Sequence, residues 1–472
     1  MLGPAGIGLL GILNAIMSTA SAVTGLGLSN SGVRHIAEAA ADGDDFKLHS
    51  TIRALVWATI LLGIIGGALT ASLNEQISRL ATGSAAFSWH IAWLGVAIFA
   101  ATLSGSQTAI LNGFRRLKDL TVVNITGSIA AMVLGITAVV LWGLQGVVVG
   151  VIAAPILSLC ASWYYTAKLK PYPTSTLASA DSLYAPFRRL LSLGLAFCAT
   201  SLMTVVTQFL IRVFVTRQLG IDATGHFQAA WNISVLYLGF VLGAMGTDYY
   251  PRLTGVAKDT QASNTMMNEQ AEVTLLLSGP VILAMLTLTP WIVGLLYSQA
   301  FFDTTTVLRW QILGDIFKVS SWSLAFLLLA QARTAVFFLT ELGGNLVYIG
   351  CVWLGLPVWG LEATGIAFLI CYVFYFFLMW VLVRCLNGFV WRKSPFRLLV
   401  ALTLCSALVF HLRSSDSHLF LPIGLLLTVA AGGYSFWRIS ASFGSLRFSR
   451  PKDFQQHSEN HSNIATSRIK RT

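Results

Sequence analysis

Residues Ala130 to Leu144 read AAMVLGITAVVLWGL, with no charged side chain. The apolar run around them, near residues 121 to 142, has about the twenty residues a helix needs to cross a ~30 Å hydrocarbon core. It is too long for the roughly ten-residue strands of a membrane barrel and lacks their period of two. It reads as a transmembrane helix. Working outward, similar runs lie near residues 9 to 30, 54 to 73, 89 to 111, 147 to 166, 190 to 215, 227 to 250, 273 to 297, 310 to 330, 336 to 355, 362 to 383, 398 to 412 and 419 to 437, thirteen in all. The fold class is therefore an all-α polytopic membrane protein.

Composition agrees. Of 472 residues, 56% are hydrophobic and 10% charged, with a mean hydropathy of +0.73. A soluble domain carries roughly 25% charged residues. The net charge of +11 does not indicate nucleic acid, because Lys and Arg concentrate in alternate loops, as the positive-inside rule requires. Arg34, Lys47, Arg53, Arg115, Arg116, Lys118, Lys168, Lys170, Arg188, Arg189, Arg252, Lys258, Arg333, Arg384, Arg392, Lys393 and Arg397 fall on the side read as cytoplasmic, and Arg79, Arg217, Arg309 and Arg413 on the other. Met1 then faces outward and the C-terminal tail the cytoplasm. Nothing ahead of the first run has the pattern of a cleaved signal peptide.

The chain also repeats itself. LGPAGIG at Leu2–Gly8 returns as LGIDATG at Leu219–Gly225, and WGLQG from Trp142 returns as WGLEA from Trp359, at one and the same offset. Arg116 maps onto Arg333 and Gly127 onto Gly344 by that shift too. Both copies start on the same side, so the repeat is parallel. The helix Leu190–Arg217 that leads the second copy has no counterpart ahead of Leu2, so one helix of the first copy is expected to be absent. With it, each half has six helices, and the complete protein fourteen crossings with both termini cytoplasmic. The expected organisation is an N-terminal bundle (1–170), a cytoplasmic linker (171–189), a C-terminal bundle (190–385), two additional transmembrane helices (396–437) and a disordered basic tail (438–472).

LGPAGIGLL, the following SGVRHIAEAAADGD at Ser31–Asp44 and above all RWQILGDIFKV at Arg309–Val319 resemble the Wzx-type O-antigen and polysaccharide lipid flippases, with the enterobacterial common antigen flippases similar in the same places. These belong to the multidrug, oligosaccharidyl-lipid and polysaccharide exporter superfamily. The resemblance covers roughly residues 2 to 385. It implies two six-helix bundles around a central cavity in the bacterial inner membrane. The implied cargo is an undecaprenyl-diphosphate-linked oligosaccharide, moved from the cytoplasmic to the periplasmic leaflet by a monomer, with polysaccharide polymerase and chain-length proteins as partners on the pathway.

Such a cargo calls for a cationic cavity. An ionisable residue within a transmembrane helix costs about 2.5 to 3.5 kcal/mol on insertion scales and needs a partner or a purpose. Arg212, in TQFLIRVFVTR, offers a planar fork for a phosphate; otherwise it snorkels to the outer interface. Asp315 and Lys318 share a helix face and either neutralise each other or line the cavity, Lys318 binding anionic cargo and Asp315 holding it or carrying a proton. Glu341, in FFLTELGGNLVY, is a coupling acid or an interfacial one. Arg34 and Arg252 follow the first helix of each repeat; they anchor the cytoplasmic face or capture diphosphate there.

No Walker motif, metal-ligand cluster or paired cysteine motif occurs, so no cofactor, metal or enzymatic activity is expected. A cation-coupled multidrug exporter of the same superfamily is the alternative, separated by cavity charge. An O-antigen polymerase or ligase would need a sizeable outer loop carrying catalytic Arg or His, and the stretches between apolar runs on the outward side are all short.

Overall fold

The computed structural model describes residues 2–169, 180–415 and 418–448, and among these every regular element is helical. The first half holds α1 (Gly3–Gly25), α2 (Leu28–Asp42), α3 (Asp45–Ser72), α4 (Asn74–Thr82), α5 (Ser88–Gly113), α6 (Leu117–Trp142) and α7 (Val147–Ala167). The second holds α8 (Ala180–Leu219), α9 (Ile221–Ala244), a π turn at Met245–Tyr249, α10 (Tyr250–Val256), α11 (Thr260–Leu296), α12 (Thr304–Ala330), α13 (Thr334–Trp359) and α14 (Glu362–Asn387). A final pair, α15 (Lys393–Ser414) and α16 (Phe420–Phe448), packs against α11.

Among the described residues eleven stretches are long and apolar enough to cross a membrane, and a twelfth, running from α9 into α10, is bent by 43°. One of the eleven, Leu117–Ala167, is the hairpin α6–α7 closed by a 3₁₀ turn at Gly143–Gly146. The thirteen apolar runs are thus thirteen helices, and the chain is a multi-pass membrane protein. Their ends differ from the expected ones where polar residues extend a helix beyond its apolar core. Residues 180–189, expected as linker, begin α8, and 438–448, expected as tail, end α16. Residues 170–179 and 449–472 lie outside the described residues.

The duplication is visible in the backbone. Helices α6 and α13 begin and end at positions related by the sequence offset, and so do three turns in unusual conformations: Gly3 and Gly220, Arg115 and Ala332, Gly143 and Gly360, all with positive φ. Arg115 and Ala332 share φ 56°, and each precedes a residue whose amide closes the same wide turn, Arg116 onto Leu111 at 2.9 Å and Arg333 onto Leu328 at 2.8 Å. Gly127 of α6 sits against Ser158 of α7, and Gly344 of α13 against Tyr375 of α14, again at matched positions. The long helices α3 and α11 are each started by an aspartate, Asp44 and Asp259, that accepts amide hydrogen bonds of the first turn.

The halves meet along α1, which packs on α8 and α9. The repeated turns touch each other there: a Cβ on Gly8 would collide with the Ile221 carbonyl, and one on Gly225 with the Pro4 carbonyl. Toward the other end, Gly27 lies against the Gly194 carbonyl of α8. Small residues let these backbones approach, as in other membrane helix pairs.

Candidate functional site

Helix α12 carries Gln311, Asp315 and Lys318 at i, i+4 and i+7, which places them on one face. That face is buried inside the second bundle: Gln311 and Asp315 are fully buried and Lys318 is 8% exposed. Its packing is enforced by glycine. Gly314 has Phe368 of α14 where a side chain would be, and Gly365 of α14 has the Val307 carbonyl and Trp310 Cβ. The preceding residues anchor the helix top: the Trp310 indole donates to Glu362 at 2.5 Å, while Arg309 stacks over Phe410 of α15 at 4.4 Å and donates to its carbonyl at 2.7 Å.

Asp315 Oδ2 accepts hydrogen bonds from Ser234 (3.0 Å) and from the Tyr237 hydroxyl, both on α9. Its Oδ1 is buried without a hydrogen-bond partner. Lys318 forms no direct ion pair with it, but the two opposite charges are close enough to interact electrostatically. The ammonium instead lies over the rings of Tyr372 (5.4 Å) and Phe368 (5.6 Å) of α14, and among the described residues it has no ion-pair or hydrogen-bond partner. An aromatic face attracts a cation without neutralising it, typically by about 0.5 to 2 kcal/mol. The charge stays available.

Arg212 is 6% exposed, which rules out snorkelling. Its Nε donates to Gln228 Oε1 of α9 at 2.8 Å and its Nη1 to the Gln208 carbonyl (2.8 Å) and side chain (3.0 Å). Gln228 is held in turn by Asn232 at 2.7 Å, and Gly11 of α1 makes room for it. Amides orient the guanidinium while leaving its charge uncompensated. Both amide atoms of Gln311 and the hydroxyl of Tyr348 on α13 are likewise buried without hydrogen-bond partners. Buried polar groups are usually satisfied in native proteins, and on α12 and α13 those of Gln311, Asp315 Oδ1 and Tyr348 are not.

Glu341 accepts from the Tyr375 hydroxyl and lines a cavity of about 330 Å³ with Trp322 and Phe326 of α12 and Met203 of α8. It is part of the second bundle but not of the cluster of orphaned groups. Arg34 and Arg252 lie elsewhere, at the end of the molecule that carries the basic loops. Both are exposed and pair with an acid on their own helical stretch, Arg34 with Glu38 (2.8 Å) and Arg252 with Asp248 (3.1 Å). The hydrogen bond and charge of Arg34 hold the Glu38 carboxyl below its usual range.

Charge inside apolar runs pointed to Arg212, Asp315 and Lys318. The neutral residues around them carry no such signal: only the fold brings Ser234, Tyr237 and Tyr372 to α12 and Gln228 to Arg212.

This arrangement of two repeated helical bundles with buried charge defines a class. An inward-facing multidrug resistance MATE family transporter of the MOP superfamily superposes with a TM-score of 0.68 at 18% identity, over 82% of this chain and 92% of that one. The lipid II flippase MurJ in an inward closed conformation superposes at 0.66 with 14% identity, over 92% and 98%. The fold is that of the MOP transporters. Within it the relationship is narrower: residues 1–256 match the family described as Polysaccharide biosynthesis protein, and the chain belongs to that family. The lipid III flippases of Escherichia coli (strain K12) and Shigella flexneri are each 23% identical over 406 residues, covering 80% of this chain and 91% of theirs.

Proposed function

We propose that this chain is a flippase that carries an undecaprenyl-diphosphate-linked oligosaccharide, an O-antigen or related polysaccharide repeat, from the cytoplasmic to the periplasmic leaflet of a bacterial inner membrane. The observation that carries the reading is that two cations, Lys318 and Arg212, are buried inside the second bundle without a direct ion pair. A diphosphate presents anionic oxygens that both can bind, Arg212 by its planar fork and Lys318 as a point charge. The curated relatives, named as lipid III flippases, support the same cargo class. The isoprenoid chain stays in lipid while sugars and diphosphate pass between the halves as they rock about a midplane site.

In this reading Asp315 positions Lys318 from the adjacent turn or carries a proton, and Glu341 is a second coupling acid. Arg34 and Arg252 attract diphosphate at the cytoplasmic mouth. The orientation follows the basic loops, which places the C-terminus in the cytoplasm. The protein works as a monomer and hands its product to the polymerase and chain-length proteins outside.

Complementation tests this. In a bacterium lacking its own O-antigen flippase, the chain restores surface polysaccharide on a gel, whereas Arg212→Ala and Lys318→Ala each reduce it at least tenfold with membrane protein levels unchanged. Normal polysaccharide in both variants refutes the cationic-cavity reading.

A further inference from the structure

The final helix pair encloses a groove that the functional site does not use. It measures about 720 Å³ and lies between α11, α15 and α16. Its wall is apolar along most of its length, with Gly279, Leu283, Leu402 and Leu427 among the lining residues. At the end of the molecule that carries the basic loops, its lining changes to Lys393, Ser394, Arg397, Tyr434, Trp437 and Arg438.

The cations of this mouth are not equivalent. Arg438 pairs with Glu272 of α11 at 3.2 Å, and the Ser394 hydroxyl donates to the same carboxylate oxygen at 2.8 Å, so one acid ties the three helices together. Arg392, just outside, pairs with Glu269 at 3.7 Å. Lys393 and Arg397, four residues apart on α15, are exposed and among the described residues have no acidic or hydrogen-bonding partner. They also stand on the first two turns of a 22-residue helix, whose N-terminus adds positive partial charge in the same direction. Tyr434 and Trp437 lie at the same level, where interfacial aromatics meet lipid headgroups.

We infer that this groove is a binding site for one anionic glycerophospholipid of the surrounding bilayer, its phosphate on Lys393 and Arg397 and an acyl chain along α11. The charge complementarity is to a phosphate at headgroup depth, and the apolar wall continues from that point into the membrane. The leaflet on the side of the basic loops is the one rich in anionic lipid. The bound lipid bridges α11 to the pair α15–α16.

The full-length protein, purified in mild detergent, is titrated with phosphatidylglycerol or phosphatidylcholine and read by native mass spectrometry. One phosphatidylglycerol binds and phosphatidylcholine of the same chains binds roughly tenfold more weakly or worse, as expected when the choline cation cancels the net negative charge that two basic residues attract. Lys393→Gln with Arg397→Gln removes that preference. Ala401→Trp, which keeps both charges and fills the groove, lowers binding of the same lipid, so the result does not depend on one variant folding. Equal binding of the two lipids, or unchanged preference in the double variant, overturns the assignment. Displacement of phosphatidylglycerol by equimolar undecaprenyl phosphate also overturns it, and gives the groove to the isoprenoid cargo. Because binding is read on purified protein, failure of complementation with phosphatidylglycerol still held counts against the flippase reading and not against this one.

Discussion

The two halves share a backbone plan and differ in what they bury. Helix α12 buries Gln311, Asp315 and Lys318; at the matched positions of the first copy, α5 carries Leu94, Ile98 and Ala101. Tyr348 and Phe368 of the second half likewise correspond to Ala131 and Val151 in the first. Leu94 and Ile98 are fully buried in the apolar core of their bundle with Leu9 and Leu13. Duplication therefore supplied two scaffolds of one shape, and among the described residues only the second buries charged side chains.

Exchanging residues between the halves tests this asymmetry. The largest effect is expected for Ile98→Asp, which puts a carboxylate into a core with no hydrogen-bonding partner prepared for it. Insertion scales place the cost at about 2.5 to 3.5 kcal/mol, so the variant should be largely missing from membranes on an immunoblot. Accumulation at the parental level would mean that the first half also tolerates buried charge. Equal costs in both halves are expected at the repeated turns. Gly143→Ala and Gly360→Ala each force a side chain into positive φ at about 1 to 2 kcal/mol, and thermal unfolding in detergent should shift by similar amounts; a shift in one half alone would separate the two copies.

A smaller and opposite effect is expected for Gln311→Leu. Removing two orphaned amide groups should raise thermal stability by about 1 kcal/mol while surface polysaccharide falls, since the position then loses its polar contact with cargo. A loss of stability would show that Gln311 is structural. Smallest of all, Arg34→Gln and Arg252→Gln break only exposed pairs within a helical stretch, worth about 0.3 to 0.5 kcal/mol. Neither should change the melting profile measurably, so any loss of polysaccharide would report capture of cargo at the mouth.

Much of this was legible in the chain itself. Thirteen apolar runs correspond to thirteen helices because a bilayer makes hydropathy decisive. The constant offset exposed the duplication because turns such as Trp142–Gly143 and Trp359–Gly360 need glycine at the same place in each copy. Helix ends were less legible: the opening residues of α8 are polar enough to resemble a linker, and hydropathy cannot see a helix continuing past the membrane. Within the site, charge identified Asp315 and Lys318, but spacing on one helix left open whether they neutralise each other or line a cavity. Their partners, Ser234 and Tyr237 on α9 and Phe368 and Tyr372 on α14, are remote in the chain, and contacts of that kind are set by tertiary packing alone.

The π turn at Met245–Tyr249 solves a counting problem. Upstream of it the two copies are in step, as Gly8 and Gly225 show, whereas Arg34 and Arg252 stand one position further apart than that pair, so the second copy is one residue longer than the first across this stretch. In an uninterrupted α-helix an inserted residue would rotate everything beyond it by about 100° and turn a buried face toward lipid. A π turn takes up the extra residue locally. Gln228 above it and Tyr249 and Leu253 at and below it can then all point inward, with the Tyr249 hydroxyl bonded to the Ser323 carbonyl at 2.6 Å. The buried face of the second bundle thus keeps its register across the turn.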